Sequence, residues 1–120
     1  MKELKTNLLI ALGDTHGNWG ITLDSIEKTD IRDAIILHVG DVGIGFINAE
    51  EQDELLHYVN RELAQRNIQM FCIRGNHDDP RYFSGEYQYP NLTLLADYST
   101  LIINHKNSYL WVEQLVLIVF

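Results

Sequence analysis

Residues 70–79 run Met70-Phe71-Cys72-Ile73-Arg74-Gly75-Asn76-His77-Asp78-Asp79: a short apolar stretch, a stop at glycine, then an amide, an imidazole and two carboxylates. An uninterrupted apolar run of strand length, bounded by turn residues, reads as a strand buried on both faces, the habit of parallel sheets. In open α/β sheets ligands bind beyond the carboxyl ends of such strands. Asn76, His77 and Asp78 therefore stand where a site is expected.

Two earlier runs repeat the pattern. Leu8 to Leu12 is apolar, stops at Gly13 and continues as Asp14-Thr15-His16-Gly17-Asn18. Ala34 to Val39 breaks at Gly40-Asp41, and Gly43 and Gly45 keep the following loop tight. Between the first two runs, Ile21, Leu23 and Ile26 predict a short helix over 21–28 that crosses one face of the sheet. Between the second and third, a longer helix is expected from Asn48 or Ala49 to about Asn67, with Leu55, Leu56, Val59 and Leu63 along one face. Its acidic residues, Glu50, Glu51, Asp53 and Glu54, come early and Arg61 and Arg66 late, which complements the helix dipole. The order strand, loop, helix, repeated, predicts a parallel sheet with right-handed crossovers. Beyond Pro80 the chain turns aromatic through Tyr82, Phe83, Tyr87 and Tyr89. A strand is expected at 92–95, then a hairpin with arms at 100–103 and 108–112 around His105-Lys106-Asn107.

The length of 120 residues fits one domain, 1–120, with a modest core. A hydrophobic share of 46% argues against disorder. Seventeen acidic against nine basic residues give a net charge of −8, which disfavours a nucleic-acid partner because that needs a clustered positive face. Cys72 is the single cysteine, set in an apolar run, so a buried thiol and a reducing compartment are expected. The start, Met1-Lys2-Glu3-Leu4-Lys5, is charged and lacks a signal-peptide pattern. The longest apolar run, 115–120, is too short for a bilayer. A cytoplasmic location without membrane attachment is the expectation, with the apolar C-terminal strand available to pair with another copy.

In a parallel sheet the three strand ends share one edge, so Asp14, His16, Asp41 and Asn76 can converge. Two carboxylates, an imidazole and an amide oxygen make a mixed oxygen and nitrogen set suited to divalent Mn, Fe or Zn. Asp41, on the middle segment, is placed to bridge two ions. A metal pair about 3.5–4 Å apart activates water and clamps both oxygens of a phosphoryl displacement.

On these residues the chain resembles the calcineurin-like metallophosphoesterases, whose pattern is Asp-x-His, then Gly-Asp, then Gly-Asn-His-(Asp/Glu), each after a strand. Asp14 and His16 match the first element, Gly40-Asp41 the second and Gly75-Asn76-His77-Asp78 the third. The resemblance implies an αββα sandwich, here incomplete: parallel strands with crossover helices, then a C-terminal hairpin. It implies up to two divalent ions, a phosphate mono- or diester substrate and a metal-bridging hydroxide as nucleophile. Asp14 and His16 would bind the first ion, Asp41 would bridge and Asn76 would bind the second. His77 would be the general acid at the leaving oxygen, with Asp78 orienting it. Asn18 and Arg74 are further candidates for touching phosphate.

The chain also departs from the pattern. After Gly-Asp the family usually has another acidic residue, where this sequence has Val42-Gly43-Ile44-Gly45. The family's late Gly-His-x-His does not occur in these 120 residues. Small relatives typically continue with Gly-Gly-Ala-Ile-Ser-Ile-Asp. One coding of the last six of those residues, read one base later, gives Glu-Gln-Leu-Val-Leu, as at 113–117, so the tail reads as an out-of-frame end of a truncated core. Two functions are consistent with this: a metal-dependent phosphoesterase, or a metal-binding or protein-interaction domain of the same fold without turnover. The other histidines read as structural. His38 is expected in the core, His57 on the long helix near solvent, and His105 in an exposed turn.

Overall fold

The computed structural model describes residues 2–6, 8–13, 15–105 and 115–118. The chain begins with β1 (Lys2–Thr6) and β2 (Leu9–Leu12), followed by α1 (Trp19–Lys28), β3 (Ile35–His38), α2 (Ala49–Gln65) and β4 (Gln69–Cys72). A 3-10 turn at Pro80–Phe83 leads to β5 (Leu92–Leu94), β6 (Thr100–His105) and β7 (Leu115–Ile118). Strands β2, β3, β4 and β5 lie side by side in that order, all parallel. A second sheet has the order β1-β6-β7, with β1 parallel and β7 antiparallel to β6. This is the mixed α/β architecture expected of a metallophosphoesterase-type fold.

The unbroken apolar character of β3 follows from its place. All four of its residues are buried, and alternate ones serve opposite faces. Ile36 joins Met70, Cys72 and the helices through Trp19, Ile26, Leu56, Val59 and Leu63. Ile35 and Leu37 face the second sheet with Phe71, Leu101 and Ile103. Helix α2 buries Leu56, Val59 and Leu63, each contributing about 1.5–3 kcal/mol. Asn48 caps it by accepting the N–H of Glu51 at 2.8 Å. Helix α1 starts two residues earlier than its apolar spacing suggests, because Asn18 accepts from Ile21 N–H and Trp19 tucks into the core.

One expectation needs correction, and it concerns His105. The charged start is itself strand β1, since β6 supplies a parallel partner from Lys2↔Leu101 to Thr6↔His105 and Leu4 packs on the inter-sheet core. His105 is thus the last residue of a strand and not a turn residue. The strand that pairs with β6 is 115–118, so that segment finds a partner within its own chain. The expected arm at 108–112 lies outside the described residues. Among the described residues no helix is long and apolar enough to cross a membrane.

Register decides where the loops meet. Leu12, His38, Cys72 and Leu94 stand in one row across the parallel sheet. The segments after β2, β3 and β4 therefore leave from one edge, at one height.

Candidate metal centre

The three segments are laced together by their backbones. His16 N–H donates to Asp41 O at 2.9 Å and Gly17 N–H to Val42 O at 2.7 Å. Gly43 makes this approach possible: its φ is +90°, and a Cβ there would run into the backbone of Gly17 and His16. Gly75 does the same on the other side, where a Cβ would strike the backbone N and the carboxylate of Asp41. His16 and Asp41 both sit in the left-handed region, at φ 48° and 51°. Such backbone strain is held by surrounding structure and clusters at functional sites.

Three of the expected groups come together. The carboxylate oxygen Oδ1 of Asp41 accepts the backbone N–H of His77 at 3.1 Å and lies 3.3 Å from its ring Nδ1. The donated N–H of His77 comes first among the causes that hold the Asp41 carboxyl below the usual carboxylate range. The rings of His16 and His77 meet edge to face with centroids 5.8 Å apart. Asn76 is exposed in the turn between Gly75 and His77. Asp14 lies outside the described residues, and among those described no cluster of three or more His, Cys, Asp or Glu side chains is arranged to hold a metal.

Asp78 has a different task from the one expected. It is 4% exposed, and both its oxygens are occupied by main-chain donors. Oδ1 accepts from Gly43 at 2.8 Å and Ile44 at 3.2 Å; Oδ2 accepts from Gly75 at 2.9 Å and Val42 at 3.2 Å. His77 is oriented by Asp41 instead, because the glycine-rich loop after β3 offers a run of N–H groups that only an acceptor with two oxygens can satisfy. The two weaker candidates are also engaged elsewhere. Asn18 caps α1, and the Arg74 guanidinium is held by Asp97 at 2.8 Å.

The family model for calcineurin-like phosphoesterases matches residues 8–118. The chain belongs to that family. No curated protein and no solved structure gives a significant match. Members of the family bind divalent metals, and by donor type the side chains of His16, Asp41 and Asn76 offer the nitrogen and oxygen atoms such ions take. Among the described residues no hydrogen bond reaches Oδ2 of Asp41, which leaves an acceptor at the meeting point.

His38, a core histidine as expected, supports this edge of the sheet from beneath. It is fully buried, with Nε2 2.8 Å from Thr15 Oγ1. The tautomer that satisfies every donor has Nε2–H donating to Thr15, whose hydroxyl turns to Val42 O at 3.5 Å, and a bare Nδ1, the atom without a partner among the described residues. Burial depresses this imidazole below 6.5, against the opposing charges of Asp78 and Asp41. The unfolded chain thus binds the proton more readily, so stability rises with pH up to 6.5 and is lost as pH falls below it. Denaturant unfolding across that range is expected to show the slope in the wild type and a flatter one in His38→Gln. Helix residue His57 is 55% exposed in its side chain, as expected, beside Asp53 and Tyr89.

Proposed function

We propose that this chain is a metal-dependent phosphoesterase that hydrolyses phosphate mono- or diesters where the loops after β2, β3 and β4 meet. Asp41 carries the reading. One of its oxygens takes both the N–H and the ring of His77, and the other points to no partner among the described residues. His16, Asp41 and Asn76, with Asp14 two residues before His16 in the chain, would hold the ions, Mn or Fe/Zn by donor type. Bound there, the ions supply Lewis acidity, lowering the pKa of water and neutralising phosphoryl charge. His77 manages the proton. With Nδ1 set against Asp41, Nε2 is the atom that donates to the departing alkoxide. A cytoplasmic setting goes with this reading, supported by the lone buried thiol of Cys72.

The test compares two diesters in the presence of Mn²⁺: bis(p-nitrophenyl) phosphate, whose leaving group departs unprotonated, and a dialkyl ester, whose leaving group needs a proton. Asp41→Asn is expected to lower kcat on both. His77→Ala is expected to cost about 10²–10⁴ on the dialkyl ester and far less on the nitrophenyl ester. Flat rates at every Mn²⁺ concentration would overturn the reading and leave a metal-binding or protein-interaction domain without turnover.

A further inference from the structure

Most main-chain groups of the loop after β3 have a partner elsewhere in the chain. The N–H groups of Val42, Gly43 and Ile44 go to Asp78, and that of Gly45 goes to Gln52 Oε1 at 2.9 Å. The carbonyls of Asp41 and Val42 accept from His16 and Gly17, and that of Ile44 accepts from Asp79 at 2.9 Å. Four consecutive amides are thus aimed at two side chains that are 4% and 1% exposed, arriving from β4's following segment and from α2. Successive N–H groups converging on one anion form a nest, a concavity that ordinarily recognises a free anion. Here the chain fills its own nest with a carboxylate.

We propose that Asp78 and Gln52 are positioning residues for the metal centre. Asp78 locks the loop of Asp41 to the turn of Asn76 and His77, since its Oδ2 bonds Val42 and Gly75 at once, while Gln52 pins the loop's far end to α2. The four donors need two acceptor oxygens, so asparagine cannot replace Asp78: its amide nitrogen would face N–H groups. Loss of the clamp frees Asp41 to leave its strained backbone conformation, and outer-shell partners of metal ligands typically govern affinity by about 10–100-fold. The effect on metal rests on the phosphoesterase reading; the clamp itself does not.

Amide hydrogen exchange in metal-free protein, followed by NMR, tests the clamp. Amides 42–45 are expected to exchange slowly in the wild type. In Asp78→Asn those of 42–44 and 75 should speed up at least about tenfold while those of Met70 and Phe71 hold. Gln52→Leu, the milder variant should Asp78→Asn not fold, should release Gly45 alone. Fast exchange at 42–44 in the wild type, or no change in either variant, overturns the clamp. Mn²⁺ titration then reads the consequence: affinity is expected to fall about 10–100-fold in Asp78→Asn and to hold in Leu63→Ala, a core variant near the C-terminal end of α2 that makes none of the clamp's hydrogen bonds. Unchanged affinity beside accelerated exchange overturns the positioning role. A wild type that binds no Mn²⁺ while its loop amides stay protected sinks the metal reading and the positioning role that rests on it, and upholds the clamp.

Discussion

Gly43→Ala is expected to destabilise the protein by about 2–5 kcal/mol, and to abolish Mn²⁺ binding in whatever fraction stays folded. Two costs combine. Alanine at φ +90° is outside its comfortable range, and its Cβ would enter the backbone of Gly17 and His16, which cannot swing aside as a side chain can. The only relief is to separate the loop of His16 from that of Asp41, which breaks the bonds His16 N–H to Asp41 O and Gly17 N–H to Val42 O. Urea unfolding measures the loss, with Gly20→Ala as the control. Gly20 lies in α1 with nothing within 4 Å of its added Cβ, so that change should stabilise by a few tenths to about 1 kcal/mol. A Gly43→Ala variant as stable as the wild type would mean the two loops do not touch.

Phe71→Ala is expected to cost about 3–5 kcal/mol, roughly a fifth or more of the stability of an ordinary domain. Phe71 heads the fully buried side chains by size and projects from β4 between the two sheets, among Ile35, Leu37, Leu101 and Ile103. It also lines a groove of about 590 Å³ with Thr93, Leu95 and Leu101, so the vacated space joins an opening and does not collapse. Because the inter-sheet cluster is small, the second sheet should loosen first. Exchange at β1 and β6 amides should rise before that of β3, and Phe71→Leu, which keeps most of the volume, should retain the order. Equal acceleration in both sheets would show that Phe71 does not govern their docking.

These expectations separate two kinds of information. Strands β2, β3 and β4 are visible in the amino-acid order because each is a largely apolar run of strand length followed within three residues by a glycine, although only β3 is buried along its whole length and β2, at the edge of the sheet, is only partly covered. The site follows from that alone: parallel strands in register deliver Gly40-Asp41 and Gly75-Asn76-His77 to one edge, next to His16. Helix α2 is equally visible, although Gln52 gave no sign in the pattern that it would be buried with Leu56 and Val59. Strand β1 was not visible, since Lys2, Glu3 and Lys5 offer no apolar run and its stability comes from β6, about a hundred residues away (Lys2↔Leu101).

Asp78 marks the boundary most clearly. Its place next to His77 in the chain suggested a partnership that its environment overrides. Local order settled which chemical groups would stand at the sheet edge, because burial patterning and strand direction depend on neighbours a few positions apart. Which group serves which was decided by folding. Three of the four amides that claim Asp78 lie 34 to 36 residues earlier, and only packing two glycine-bearing loops against each other brings that unmet need for an acceptor to the carboxylate.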